Sequence, residues 1–175
     1  MSPAVTEKAL VGVSACLLGE EVRYNGAHKL DDFVCGALAR VVDLRPVCPE
    51  VDIGLGVPRE PIQLTRSNNG TRLVAAESGA DLTAAMESYA EAKVRELDAA
   101  GICGYVLKAR SPSCGLGSVP IDGAGGGDGL FAATLRKLCE RLPTTEETSL
   151  EEAADREAFL ARVLAYRRLR DLFDG

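Results

Sequence analysis

Six cysteines and a single histidine set the chemistry this 175-residue sequence can offer. The thiols are Cys16, Cys35, Cys48, Cys103, Cys114 and Cys139, and the histidine is His28. No two cysteines stand at C-x-x-C spacing, which removes the usual sequence support for zinc ribbons, ferredoxin-type clusters and thioredoxin-type redox pairs. A Ser-His-Asp or Cys-His catalytic arrangement would have to use His28, and a histidine-rich metal site is excluded. With 20 Lys+Arg against 26 Asp+Glu, the net charge of −6 provides no basic field for a nucleic-acid polymer. Hydrophobic residues at 46% and charged residues at 26% fit a soluble globular chain. Apolar runs such as 101–107 fall far short of the roughly 18 residues that span a bilayer. The N-terminus, MSPAVTEKALVGVSAC, has no basic region leading into an apolar one, so the sequence predicts no secretory signal and a cytoplasmic compartment. Thiols stay reduced there, and six of them need a reason.

The elements that must position these thiols read as alternating strands and helices. Residues 8–13 (KALVGV), 41–47 (VVDLRPV) and 102–108 (ICGYVLK) are short apolar runs that predict buried strands. Residues 31–40 open with two acids and predict a helix with Phe33, Ala37 and Val41 on one face. The segments 63–66 and 71–75 flank Ser67-Asn68-Asn69-Gly70, a hairpin signal because Asn and Gly tolerate positive φ. The clearest helix is 81–100, with Asp81 as its cap and Gly101 at its exit. The glycine-rich stretch 115–129 reads as a flexible loop, and a helix follows at 130–141. After Pro143, residues 144–149 read as a polar linker to an amphipathic helix at 150–173, with Phe159, Val163, Tyr166 and Leu169 on one side. The fold class is therefore α/β: a single Rossmann-like domain with a mostly parallel sheet flanked by helices, plus a C-terminal helix. Residues 1–142 form its main part and 143–175 a linker and helix packed on the same domain.

In such sheets ligands collect at the carboxyl ends of the strands, where strand order reverses. Cys16, Cys48 and Cys114 each lie in a loop leaving a predicted strand, so all three can meet at one sheet edge. Cys35 and Cys139 fall in predicted helices and Cys103 in a strand, where a cysteine serves as a small buried hydrophobe. Three thiolates are one ligand short of a closed tetrahedral site. A 4Fe-4S cluster held by three would leave one iron open to a soft, sulfur-bearing substrate. By spacing alone, a purely structural role for the three remains the stronger reading.

The residues around the three cysteines carry more. Gly12-Val13-Ser14-Ala15-Cys16-Leu17-Leu18-Gly19, Val22-Arg23-Tyr24-Asn25-Gly26, Pro46-Val47-Cys48-Pro49-Glu50, Gly54-Leu55, Pro58-Arg59 and Leu107-Lys108-Ala109-Arg110-Ser111-Pro112-Ser113-Cys114-Gly115 together resemble the TudS-type thiouracil desulfidases over roughly residues 9–142. The resemblance implies a 4Fe-4S cluster held by Cys16, Cys48 and Cys114. It also implies non-redox removal of sulfur from thiolated pyrimidines, such as thiouracil or 4-thiouridine monophosphate, releasing hydrosulfide and the uracil product. The matching catalytic positions are Glu50, as general base, and Ser111, as a hydrogen-bond donor to the base or the tetrahedral intermediate. Asn25 falls where a substrate contact is expected.

Lys29, Arg59 and Lys108 read as surface cations, one of which could hold a nucleotide phosphate, and His28 as an exposed loop residue. The chain departs from the family pattern at 120–129 (PIDGAGGGDG), which is unusually rich in glycine and is no phosphate-binding P-loop. The expected partner is a small thiolated base or nucleotide, with no nucleic-acid polymer and no membrane. Two rivals stand beside the enzyme reading. One is a non-catalytic iron–sulfur or sulfur carrier or sensor. The other is a zinc or redox-thiol protein, which needs a fourth ligand such as Cys35 or His28.

Overall fold

The computed structural model describes residues 8–173; residues 1–7, at the start of the stretch read for a targeting signal, and 174–175 lie outside the described residues. In chain order the strands are β1 (Ala9–Ser14), β2 (Val42–Val47), β3 (Ile62–Ser67), β4 (Gly70–Ala75), β5 (Ile102–Leu107), β6 (Val119–Ile121), β7 (Ala124–Gly127) and β8 (Thr144–Glu146). The helices are α1 (Ala39–Val41), α2 (Pro49–Asp52), α3 (Thr83–Ala99), α4 (Leu130–Leu138) and α5 (Ala153–Phe173). The first sheet has the order β2-β1-β5-β8 and every pairing in it is parallel. The chain leaves β1 toward β2, then returns across β1 to β5, so the order reverses at the β1–β5 boundary. This is the expected α/β arrangement, with helices on both faces and the C-terminal helix against the sheet.

Every residue of β5 is buried, as its unbroken apolar run requires of a strand covered on both sides. On one face Ile102, Tyr105 and Leu107 pack with Met86, Ala90, Val94 and Leu97 of α3 and Phe131 and Leu135 of α4. On the other, Cys103 and Val106 pack with Val11 and Val13 of β1, Val34, Leu38, and Phe159 and Val163 of α5. Gly104 permits that docking: a β-carbon there would lie 2.7 Å from Val163 Cγ2. Of the C-terminal face read from the sequence, Phe159 and Val163 are buried and Tyr166 packs on the core, while Leu169 is exposed.

The expected hairpin at 63–75 belongs to a second sheet, β4-β3-β6-β7, whose Leu64, Leu73 and Val119 enter the α3–α4 core. Its second half corrects the sequence reading of 115–129 as a flexible loop, because β6 and β7 form an antiparallel hairpin there. The turn is Asp122-Gly123, both at positive φ (52° and 74°), which is the two-residue geometry an Asp-Gly pair favours. A further correction concerns 144–149. Thr144–Glu146 is not a polar linker but strand β8, paired with β5 through Tyr105, Val106 and Leu107. Its three polar residues, Thr-Thr-Glu, conceal a strand that lies at the edge of the sheet. In the predicted 31–40 helix, Val34–Leu38 form a wide π turn. Val34 and Leu38 are the buried positions and Val41 is exposed, because the wide turn shifts the helical phase away from the 3.6-residue repeat.

Candidate active site

The three strands that carry the candidate cysteines are neighbours, and their carboxyl ends open on one cavity of about 520 Å³. Cys16 sits in the 3-10 turn Ala15–Leu18 that β1 runs into. Cys48 follows β2 directly and precedes α2, whose Pro49 occupies the first helical turn, where a missing N–H costs nothing. Cys114 lies in the loop after β5. All three thiols line the cavity, together with Glu50 and Ser111. Asn25 does not. Its Oδ1 accepts the Ala27 amide at 3.1 Å in an exposed turn, and its neighbours Arg23 and Tyr24 line the cavity instead.

The other three cysteines stay outside. Cys35 donates to the Leu17 carbonyl at 3.4 Å, Cys103 to the Gly101 carbonyl at 3.2 Å, and Cys139 is buried beyond α4. His28 is exposed, and its Nδ1 accepts the Leu30 amide at 3.2 Å. Neither Cys35 nor His28 lines the cavity as a fourth ligand. Among the described residues no three Cys, His, Asp or Glu side chains converge on a point that would hold one metal ion, as zinc requires. Three thiols that line one cavity, with no fourth Cys or His lining it among the described residues, match a polynuclear cluster that takes one ligand per corner. On donor chemistry, the residues present fit a three-cysteine 4Fe-4S cluster.

Burial pushes the Cys16 thiol up to about 11; the Lys108 ammonium opposes this, while Cys48 and Glu147 add to it. Cys48 is raised by burial too, against the Val51 amide and Arg59. Cys114 is raised furthest of the three, again by burial, with a hydrogen bond from Ser14 opposing and Glu50, Cys48 and Cys16 adding. Raised in this way, the three thiols hold their protons near neutrality, and a metal that binds them must displace those protons.

The Cys114 loop is fixed from several sides. Ser111 Oγ accepts the Ser113 and Cys114 amides at 3.3 and 3.1 Å, leaving its own hydrogen for another acceptor. The first amides of α4 are satisfied by the same loop: Leu130 N donates to the Pro112 carbonyl, and Phe131 N and Ala132 N to that of Ser113. Gly129 makes this approach possible, since a β-carbon there would lie 2.8 Å from the Cys114 nitrogen. Strand β8 closes the far side. Glu146, almost wholly buried, accepts the Leu116 amide at 2.5 Å and the Ser118 hydroxyl. Glu147 accepts the Ala109 amide at 2.7 Å and pairs with Lys108 Nζ, which also donates to the Ala109 carbonyl at 3.0 Å. Reading 144–149 as a linker hid both carboxylates.

Glu50 is held on both oxygens. Arg59 Nε and Nη2 donate to its Oε2 at 3.0 and 2.7 Å, and the fully buried Ser113 donates to its Oε1 at 3.0 Å. The Arg59 side chain is only 6% exposed, which corrects its reading as a surface cation; the same holds for Lys108, paired inside the pocket wall. Arg23, Lys29 and Arg110 also line the cavity, and none is within ion-pair distance of a carboxylate among the described residues. Arg110 is one of two non-glycine residues with a left-handed backbone among those described, at φ 63°. Such conformations concentrate at functional sites.

The profile of the family described as 2-thiouracil desulfurase matches residues 11–147, ending on the second of the two β8-side glutamates. The Bacillus subtilis (strain 168) protein YbbK, described as uncharacterized, is 33% identical over 153 residues, covering 79% of this chain and 97% of that one. A solved structure of the [4Fe-4S]-dependent thiouracil desulfidase TudS superimposes with a TM-score of 0.67 at 36% identity, covering 85% of this chain and 95% of the other. A profile that spans most of the sequence and a solved structure of matching fold agree, and the chain belongs to the 2-thiouracil desulfurase family.

Proposed function

We propose that the protein is a non-redox desulfidase that converts the thiocarbonyl of a thiolated pyrimidine, preferably 4-thiouridine monophosphate, into a carbonyl. The observation that carries this reading is the meeting of Cys16, Cys48 and Cys114 on one cavity with Glu50, and with no fourth Cys or His lining it among the described residues. Those three cysteines would hold a 4Fe-4S cluster. When bound, the cluster supplies a Lewis-acidic iron with an open position for the substrate's sulfur. Six unpaired thiols suit a cytoplasmic protein.

The chain's own residues supply the rest. Glu50 takes a proton from a water whose oxygen adds to the ring carbon bearing sulfur. The added hydroxyl gives up the second proton as the carbon–sulfur bond breaks. One proton leaves with the sulfur as hydrosulfide and the other passes to solvent, so water and thiocarbonyl become carbonyl, hydrosulfide and a proton with no electrons exchanged. Ser111, with its hydroxyl hydrogen uncommitted, donates to the ring or to the developing oxyanion. Arg23, Lys29 and Arg110 at the cavity wall favour a phosphorylated substrate over the free base.

The test is anaerobic reconstitution followed by assay. The loaded chain should be brown, carry about four irons, and release sulfide over many turnovers of 4-thiouridine monophosphate. Glu50→Ala should keep the iron and lose about 10²–10⁴-fold in kcat. One sulfide per chain at most would instead identify a carrier or sensor. An iron-free protein with wild-type activity would end the cluster assignment.

A further inference from the structure

Arg59 follows Pro58 in a polar stretch, where a cation ordinarily faces water. Here it is buried, and its donors reach three segments of chain. Nε and Nη2 hold Glu50 Oε2, Nη2 also reaches the Val22 carbonyl at 2.8 Å, and Nη1 donates to the Gly56 carbonyl at 2.8 Å. Its backbone amide donates to the Tyr24 carbonyl at 2.8 Å. The guanidinium thus locks Glu50, two residues beyond Cys48, to the segment that follows the Cys16 turn.

Burial makes such a pair costly to assemble. This one opens on the cavity from both partners. Its arrangement is also asymmetric. Arg59 spends two donors on Oε2, while Oε1 receives only the Ser113 hydroxyl and keeps acceptor capacity for one more hydrogen. A carboxylate held in this way cannot rotate, and the oxygen left for water is determined before substrate arrives.

We propose that Arg59 is a positioning residue of the desulfidase reaction: with Ser113, it fixes the rotation of the Glu50 carboxylate so that Oε1 faces the attacking water. The inference rests on the reading of Glu50 as general base, and its test separates the two.

Full-length Arg59→Met, Arg59→Lys, Glu50→Gln and the Glu50→Gln/Arg59→Met double variant are reconstituted anaerobically. Iron per chain, visible absorbance, and kcat and KM for 4-thiouridine monophosphate are then measured. Arg59→Met should keep the iron and spectrum of the wild type, lose about 10²-fold in kcat, and change KM by less than about twofold. In the Glu50→Gln background the same change should cost less than about twofold, because residues acting as one unit are not additive. Arg59→Lys, which keeps the charge but not the fork, should fall between wild type and Arg59→Met.

Losses that multiply in the double variant would overturn the proposal, as would wild-type kcat in Arg59→Met beside an inactive Glu50→Gln. Loss of iron in both Arg59 variants would also overturn it, showing a strut for the cysteine loops rather than an aim for Glu50. Wild-type activity in Glu50→Gln would instead remove the base assignment itself.

Discussion

Several polar side chains in the pocket wall are assigned by what they touch. Glu50 is clamped by Arg59 and Ser113, Lys108 is spent on Glu147 and the Ala109 carbonyl, and Ser14 reaches both the Lys108 amide and the Cys114 sulfur. Three cations, Arg23, Lys29 and Arg110, remain uncommitted to carboxylates there. Of these only Lys29 is evident as a candidate in the sequence, where Arg59 and Lys108 look equally available. Nothing in a one-dimensional string distinguishes a paired cation from an unpaired one. Arg110→Gln should therefore lower kcat/KM for 4-thiouridine monophosphate about tenfold, the scale of one charge-assisted hydrogen bond, and leave the unphosphorylated nucleoside unchanged. Parallel assays of the two substrates check this; an equal loss on both would remove the phosphate role.

At the level of elements, the loop bearing Cys114 is shaped less by its own sequence than by what packs around it. The start of α4 uses its carbonyls, Gly129 admits it closely, and the carboxylates at the end of β8 take its amides. Glu147→Gln keeps an acceptor for Ala109 but removes the counter-charge of Lys108. The loaded variant should lose iron to a chelator about 10–100-fold faster than the wild type, the usual penalty for removing support behind a metal ligand. An unchanged rate would show that β8 leaves the cysteine loop alone.

Another terminus, that of α3, gives a pH dependence. Asp81 accepts the Thr83 hydroxyl and amide and is paired with Arg72, which holds its carboxyl down at about 2 against the ordinary 3.8. A depressed carboxyl stabilises the fold above its unfolded value, and the gain vanishes as pH falls through the folded one. The urea midpoint of wild type should exceed that of Asp81→Asn near neutrality, with the difference closing between about pH 4 and 2. A difference constant over that range would contradict this role for Asp81, which precedes Leu82 at the N-cap of α3.

For the molecule as a whole, the two cores lie on opposite faces of one parallel sheet, and both include parts of β5. Strand β8 pairs with β5, and α5 buries Phe159 and Val163 beside it. We propose that 1–142 and 143–175 unfold together as one domain. Phe131→Ala, which empties a fully buried ring site between Tyr89 and Tyr105, should cost about 3–5 kcal/mol and shift a single transition in far-UV and near-UV signals alike. Two separated transitions would place a boundary near Pro143.

What the sequence determined by itself is the local grammar: the apolar runs of β1, β2 and β5, the Ser67–Gly70 hairpin, the periodic α3, and the placement of Cys16, Cys48 and Cys114 just beyond strand ends. These follow from patterns within a few residues, and the parallel sheet then brings three strand ends together. Even the β6–β7 hairpin was written in Asp122-Gly123, although the surrounding glycines made the segment look like flexible loop. Tertiary structure alone decided that Thr144–Glu146 is a strand, that Arg59 turns inward onto Glu50, and that Asn25 stays at an exposed turn. Each of these depends on a partner distant in the chain, and burial and pairing energies of that kind are properties of contacts, which no single segment contains.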